Sequence, residues 1–142
     1  MAGKLVTKLS NRQCFTLTEK DTLKTASEKL QEHNVGVMPV LNEKEKSVIG
    51  IISERDLARC IYKDKFTNDL LVSKIMTKNI ISCNLNTSVT ELMEIISSHK
   101  IRHIPIIEDK KLLGIVSIGD VVNHIIEQYK DENQQLRDFI NQ

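Results

Sequence analysis

Two stretches of the sequence place a hydroxyl and a carboxylate three residues apart behind a β-branched run. Ser53 and Asp56 stand in Gly50-Ile51-Ile52-Ser53-Glu54-Arg55-Asp56, and Ser117 and Asp120 in Gly114-Ile115-Val116-Ser117-Ile118-Gly119-Asp120. Glycine, isoleucine, serine and aspartate recur in register, 64 positions apart. In each copy the run after the glycine reads as a short buried strand, and the polar pair falls where a helix should start. Two chemistries suit that placement. In a capping box the serine accepts from orphan helix N–H groups while the aspartate reaches back to the cap N–H. In ligand capture the carboxylate accepts both hydroxyls of a ribose, and the N–H groups of the helix start favour phosphate. The two uses are compatible.

The elements that must position these pairs are themselves repeated. A shift of 66 lays Leu5-Val6-Thr7-Lys8-Leu9 on Leu71-Val72-Ser73-Lys74-Ile75 and runs without a gap to Pro39-Val40 on Pro105-Ile106, matching Glu28 with Glu94 and His33 with His99 on the way. The register then changes to 64, because the polar loop Leu41 to Val48 is two residues longer than its counterpart. Surface loops tolerate such insertions, so the pattern is an internal duplication. Its units span about 4–65 and 70–130, with a tail over 131–142.

Each unit predicts β-α-β-β-α. Strands over Cys14 to Leu17 and Ile80 to Cys83 precede helices with one apolar face, Leu23, Ala26 and Leu30 in one, Val89, Leu92, Met93 and Ile96 in the other. Hairpins follow, Gly36 to Leu41 with Ser47 to Ser53 and Arg102 to Ile107 with Leu112 to Ser117, and then a second helix from Glu54 or Gly119. The class is α/β (α+β). So few strands leave one side of each sheet bare, and packing the copies about a pseudo-two-fold axis would bury it.

Composition narrows the function classes. Over 142 residues, 20 Lys and Arg against 19 Asp and Glu leave a net charge of +1, which offers no field for nucleic acid or an anionic membrane. Cys14, Cys60 and Cys83 form no C-x-x-C, which argues for reduced thiols and a cytoplasmic setting. No apolar run approaches the ~20 residues that span a bilayer, and no signal-type segment stands at the start. Four scattered histidines give no case for a metal: His33 and His99 suit helix C-termini, and His124 a helix surface. No nucleophile–base–orienter set or P-loop points to an enzyme.

The doubled G-h-h-S-x-x-D, the matched Pro39-Val40 and Pro105-Ile106 and the repeated Leu-Val-Thr/Ser-Lys resemble a pair of CBS domains, a Bateman module, over about residues 4–130. Members of that family commonly bind adenine nucleotides in clefts between the copies; others bind S-adenosylmethionine or only associate. The resemblance implies a non-enzymatic regulatory module with AMP, ADP or ATP as ligand and no metal or covalent cofactor, the alternatives being a structural adaptor or a binder of S-adenosylmethionine. It makes Asp120 the ribose acceptor of one cleft, with Ser117 beside it, Arg102 and His103 at the phosphate, and Ser10, Cys14, Phe15, Val35 and Val37 at the base. The second cleft is built from Ser53, Arg55 and Asp56 with Thr77, Ile80, Ile81 and Ile101. Where the second copy has Arg102-His103 the first has Gly36-Val37, so the Asp56 cleft is expected to hold phosphate less well.

From Asp120 through Gln142 no glycine or proline interrupts a helix. Ile126, Asn133 and Ile140 fall on heptad position a, Val122, Tyr129 and Leu136 on d, with Glu132 at g facing Arg137 at e of a parallel partner. This predicts a homodimer through the tail, the alternative being a tail folded back on its own domain. The sequence does not name a regulated partner.

Overall fold

Around each proline the chain turns into an antiparallel hairpin. In the computed structural model, which describes residues 4–10 and 12–141, β2 (Val37–Leu41) pairs with β3 (Val48–Ser53), and β4 (His103–Glu108) with β5 (Lys111–Ser117). Pro39 lies opposite Ile51 and Pro105 opposite Ile115, and both ladders shift register at the same place, Val40/Leu41 and Ile106/Ile107. The second turn is closed by Asp109 and Lys110, both at positive φ (50° and 68°), the two-residue turn whose twist matches the strands.

The expected leading strands are shorter than the sequence suggests. β1 is only Leu17–Thr18, parallel to β2 with Leu17 opposite Val40, and its counterpart shrinks to a single bridge between Cys83 and Ile106. The prolines explain both. Cys83 N donates to Pro105 O (2.9 Å) and Ile107 N to Cys83 O (2.9 Å). The next rung back toward Ile80 would need an N–H at position 105, which proline lacks. Pro39 stops the first copy in the same way, so Cys14 to Thr16 stay outside the sheet.

Helices follow their caps. In α2 (Leu23–Glu32) the Thr22 hydroxyl accepts from Thr25 N, and in α4 (Val89–His99) the Ser88 hydroxyl accepts from Glu91 N. Leu23, Ala26, Leu30 and Leu92 are buried as expected, whereas Met93 faces out. α3 (Glu54–Tyr62) and α5 (Ile118–Ile140) start directly from the ends of β3 and β5. His124 is half-buried, more enclosed than the surface position expected for it.

The duplicated leading segments form helix, which the match between them did not reveal: α1 (Lys4–Leu9) and a single 3-10 turn, Val72–Lys74. Their packing is reciprocal. Leu5, Val6 and Leu9 enter the core of the second copy with Leu92, Ile104, Ile106 and Val116, while Val72 enters that of the first with Leu23, Met38, Val40 and Ile52. Each copy thus covers the other's sheet with its own first segment. Two glycines make room for this. A Cβ on Gly114 would sit 3.0 Å from the Leu9 carbonyl oxygen, and one on Gly50 would collide with the Met76 side chain.

Gly50→Ala should therefore destabilise the fold by about 1–3 kcal/mol through overpacking. In a Met76→Ala background the same change should cost less, a coupling that a double-mutant cycle in urea would read directly. Simple additivity would show that the glycine accommodates something other than Met76.

Candidate functional site

The two strand-to-helix junctions carry complete capping boxes. Ser53 Oγ accepts from Asp56 N (3.3 Å) and Asp56 Oδ2 from Ser53 N (2.9 Å); Ser117 Oγ accepts from Asp120 N (3.1 Å) and Asp120 Oδ2 from Ser117 N (2.8 Å). One oxygen of each carboxylate is thereby committed to the cap. Ligand capture is left with the other, Oδ1, and with the free lone pairs of Oδ2.

The surroundings of those oxygens differ. Asp120 is held by Arg12, whose Nη1 donates to Oδ1 (2.9 Å) and Nη2 to Oδ2 (2.8 Å), with a further bond from Nη2 to Ile115 O (2.8 Å). Burial pushes the Asp120 carboxyl up, but the hydrogen bonds from Arg12 and Ser117 and the Arg12 charge outweigh it and leave the group below its ordinary value. Arg12 is raised in turn, chiefly by its hydrogen bond to Asp120. Asp56 is almost fully buried; its Oδ2 also accepts from Ser53 Oγ (3.1 Å), while among the described residues its Oδ1 meets only a long contact from Thr77 Oγ1 (3.4 Å) and the Arg59 guanidinium at 3.7 Å. Its Oδ1 is the less occupied acceptor.

Beside these junctions lie two hollows between the copies. The first, about 390 Å³, is lined by Cys14, Phe15, Val35, Val37, His103 and Ser117, all named from the sequence, and by Arg12, Gln13, Asn34, Gly36 and Ile115. Phe15 stacks on His33 with ring centroids 3.7 Å apart and planes within 9°. His33, expected to serve a helix dipole, therefore also fixes an aromatic wall. Burial raises the Cys14 thiol to about 11, with Arg12 pulling the other way, so it stays protonated at neutral pH. Asp120 is not among the lining residues, because Arg12 stands over it. Ser10 is not among them either; its hydroxyl donates to Thr7 O (2.7 Å) at the end of α1.

The second hollow, about 410 Å³, is lined by Ser53, Arg55, Asp56, Thr77 and Ile101, again as named, but Ile80 and Ile81 are not among its lining residues. The shortened leading strand leaves those two outside the sheet. Arg102 belongs here and not with Asp120 as expected. Arg102 sits at a bend just ahead of β4 and lines the Asp56 hollow together with Ile101, while His103, the first residue of β4, stands on the partition and lines both hollows. Arg59, Lys100 and His99 join it, unanticipated from the sequence. Arg59 could have been found three residues past Asp56 on α3, and Lys100 as the left-handed cap (φ 54°) of α4.

The expected asymmetry of charge is thus reversed. Among the described residues the Asp120 hollow is lined by one Lys or Arg, Arg12, already paired, whereas Arg55, Arg59, Lys100 and Arg102 line the Asp56 hollow against Glu54 and Asp56. Among the described residues no group of three or more His, Cys, Asp or Glu side chains could hold a metal ion, and no helix is long and apolar enough to cross a membrane.

Two β-α-β-β-α units with exchanged leading segments and two interfacial hollows define a paired-repeat module. The family model for the CBS domain matches residues 6–63 and again 72–127, and the chain belongs to the CBS domain family as a tandem pair. It is 36% identical over 127 residues to a mitochondrial CBS domain-containing protein of Arabidopsis thaliana, CBSX3, covering 87% of this chain and 62% of that protein's length. A CBS-domain containing protein from Agrobacterium tumefaciens superposes with a TM-score of 0.76 at 32% identity, covering 86% of this chain and 90% of the other. Two more distant pairs share the fold. CBSX2 in complex with AMP has a TM-score of 0.77 at 22% identity over 88% of this chain and 97% of its own. The pair of protein MJ0100, in complex with 5-methylthioadenosine and S-adenosyl-L-methionine, has 0.78 at 23% over 88% and 98%.

His103 gives the partition a pH dependence. Burial lowers its pKa, assisted by Arg102 and opposed by Asp120 and Glu54. Between that depressed value and the ordinary one the unfolded chain binds a proton that the folded chain declines. Stability should therefore fall as pH drops through this window and return above it. His103→Gln should flatten this part of a denaturation-versus-pH profile; an identical slope in the variant would place the dependence elsewhere.

Proposed function

We propose that this tandem pair is a non-enzymatic regulatory module that binds an adenine nucleotide between its copies, with the phosphate-rich end of the ligand in the Asp56 hollow. The observation that carries this reading is the convergence of Arg55, Arg59, Lys100 and Arg102 on a hollow that also offers Asp56 and the apolar Ile51 and Ile101. An adenine nucleotide needs those three things: an apolar slot for the base, a carboxylate for the diol and cations for the phosphates. AMP in CBSX2 supports the adenosine part of the reading. S-adenosylmethionine and methylthioadenosine, the ligands in the MJ0100 complex, carry no phosphate, and a sulfonium would add positive charge to four cations. The reading therefore favours ADP or ATP in the Asp56 hollow and a nucleotide with fewer phosphates, such as AMP, in the Asp120 hollow.

Calorimetry with AMP, ADP and ATP tests it. Asp56→Ala should weaken binding by about 1–3 kcal/mol, the cost of unmade hydrogen bonds to a charged group, and Arg102→Ala should weaken ATP more than AMP. Equal losses for all three nucleotides would remove Arg102 from the phosphate. An adaptor without ligand predicts no heat from any of them and no adenosyl mass retained in a native spectrum.

The second part of the reading is a homodimer through α5, a helix of 23 residues reaching ~35 Å. Every described residue from Ile125 onward is exposed, Tyr129, Leu136, Phe139 and Ile140 among them, so the tail does not fold back on its own chain. Phe139 and Ile125 at heptad position g widen the a/d stripe, and a second copy of the same helix is its natural cover. The free thiols of Cys14, Cys60 and Cys83 suit a reducing compartment such as the cytoplasm. Truncation after Lys130 should lower the dimer fraction in sedimentation without lowering the stability of the module. A full-length chain that stays monomeric at ~100 μM, where a micromolar dimer is populated, would end the dimer reading.

A further inference from the structure

We propose that Arg12 is the specificity-determining residue of the Asp120 hollow: it occupies the ribose acceptor, and the hollow opens to a ribose only when a phosphate replaces Asp120 as its partner. The inference rests on the nucleotide reading and concerns how one of its two hollows selects. A ribose diol donates two hydroxyl hydrogens, for which a carboxylate offers the free lone pairs of its two oxygens. Here Arg12 takes both, at 2.9 and 2.8 Å, while Ser117 N already holds Oδ2 from the cap side. The guanidinium is the outer member of the pair, its side chain 49% exposed against 17% for Asp120. It lines the hollow, and the carboxylate does not. An entering ligand meets the cation first.

Arg12 has somewhere to go. Arg12 lines both the first hollow and a neighbouring one of about 500 Å³ between the hairpin ends, so open space lies on either side of its guanidinium, and Lys46 and Lys111 in the neighbouring one turn a displaced cation back toward a phosphate in the first. The exchange is balanced only for an anionic ligand. A fork that has lost a bidentate carboxylate recovers an equivalent pair of bonds on a phosphate. A neutral nucleoside must break the same ion pair and returns nothing to the guanidinium except water. Arg12 thereby turns a plain diol site into one that requires sugar and phosphate together. The Asp56 hollow has no such filter, since Lys78, which matches Arg12 in the repeat, is not among its lining residues.

Isoleucine methyl resonances read the hollows separately, since Ile115 lines only the first and Ile101 only the second. Wild-type protein titrated with adenosine and with AMP should show AMP preferred by about tenfold or more at Ile115, the scale of one charge-assisted pair. In Arg12→Ala adenosine should bind about tenfold more tightly at Ile115 and the preference for AMP should collapse, with the Ile101 response unchanged. Arg12→Lys, which keeps the charge without the fork, should fall between. An unchanged adenosine-to-AMP ratio at Ile115 in both variants, with Ile101 still responding, overturns the Arg12 proposal and leaves the nucleotide reading standing. Silence at both methyls with either ligand in the wild type overturns the two together.

Discussion

A sheet of two or three short strands cannot bury both of its faces, and in this chain neither copy covers its own. Leu5, Val6 and Leu9 close the core of the second copy and Val72 that of the first. Each buried aliphatic side chain contributes about 1.5–3 kcal/mol, so neither core is complete without the other copy's first segment. The duplication is therefore a structural necessity more than an amplification. It also places the hollows: the exchanged segments draw the hairpins together, with Ser47–Lys111 bridging the two hairpins and Ile51–Thr77 tying the first hairpin to the chain just past the second copy's 3-10 turn. The hollows are what remains of the seam on either side of Gly36, Val37 and His103, which line both.

The same carboxylates serve the fold and the candidate site. Asp56 and Asp120 satisfy the backbone N–H of their own caps, which holds each carboxylate where a strand becomes a helix. A capping aspartate is thus already desolvated and oriented, and little further ordering is needed to present an oxygen to a ligand. The capping and capture readings of the sequence are two lone-pair directions of one group.

Much of this was legible in the residues. The repeat carries both hairpins, all four longer helices and part of the lining of the two hollows, because alternation, caps and glycines are local signals. What escaped it depends on a partner far along the chain. The leading strands were overread because Cys14 to Leu17 and Ile80 to Cys83 have strand-like composition, while the limit on them is the missing N–H of Pro39 and Pro105. The segments at Leu5 and Leu71 were recognised as equal but not as helical, since their partners lie in the opposite copy. Arg102 lines the other hollow from the one the family pattern implies, because it sits at the bend before β4, and where a bend aims a long side chain is not a local signal. Arg12, Arg59, Lys100 and His99 were missed for a related reason: long side chains reach across the seam, and spacing says little about where they end. The reciprocal packing also means that the sequence units 4–65 and 70–130 are not packing units at their starts.

Divergence between the copies then reads as a division of labour. Arg12 of the first copy aligns with Lys78, and Arg59 aligns with Asn123. Asn11, the counterpart of Thr77, lies outside the described residues. Among the described residues Asp120 has a short bidentate ion pair and a hollow whose one Lys or Arg is the paired Arg12, while Asp56 has long contacts at Oδ1 and four cations lining its hollow. The first arrangement holds its carboxylate closed and low in pKa, and the second leaves it open in a positive field. Because Gly36, Val37 and His103 are common to both hollows, any ligand that moves this partition in one changes the shape offered by the other. Such an equilibrium shifts only as far as a ligand binds one arrangement of the partition better than another.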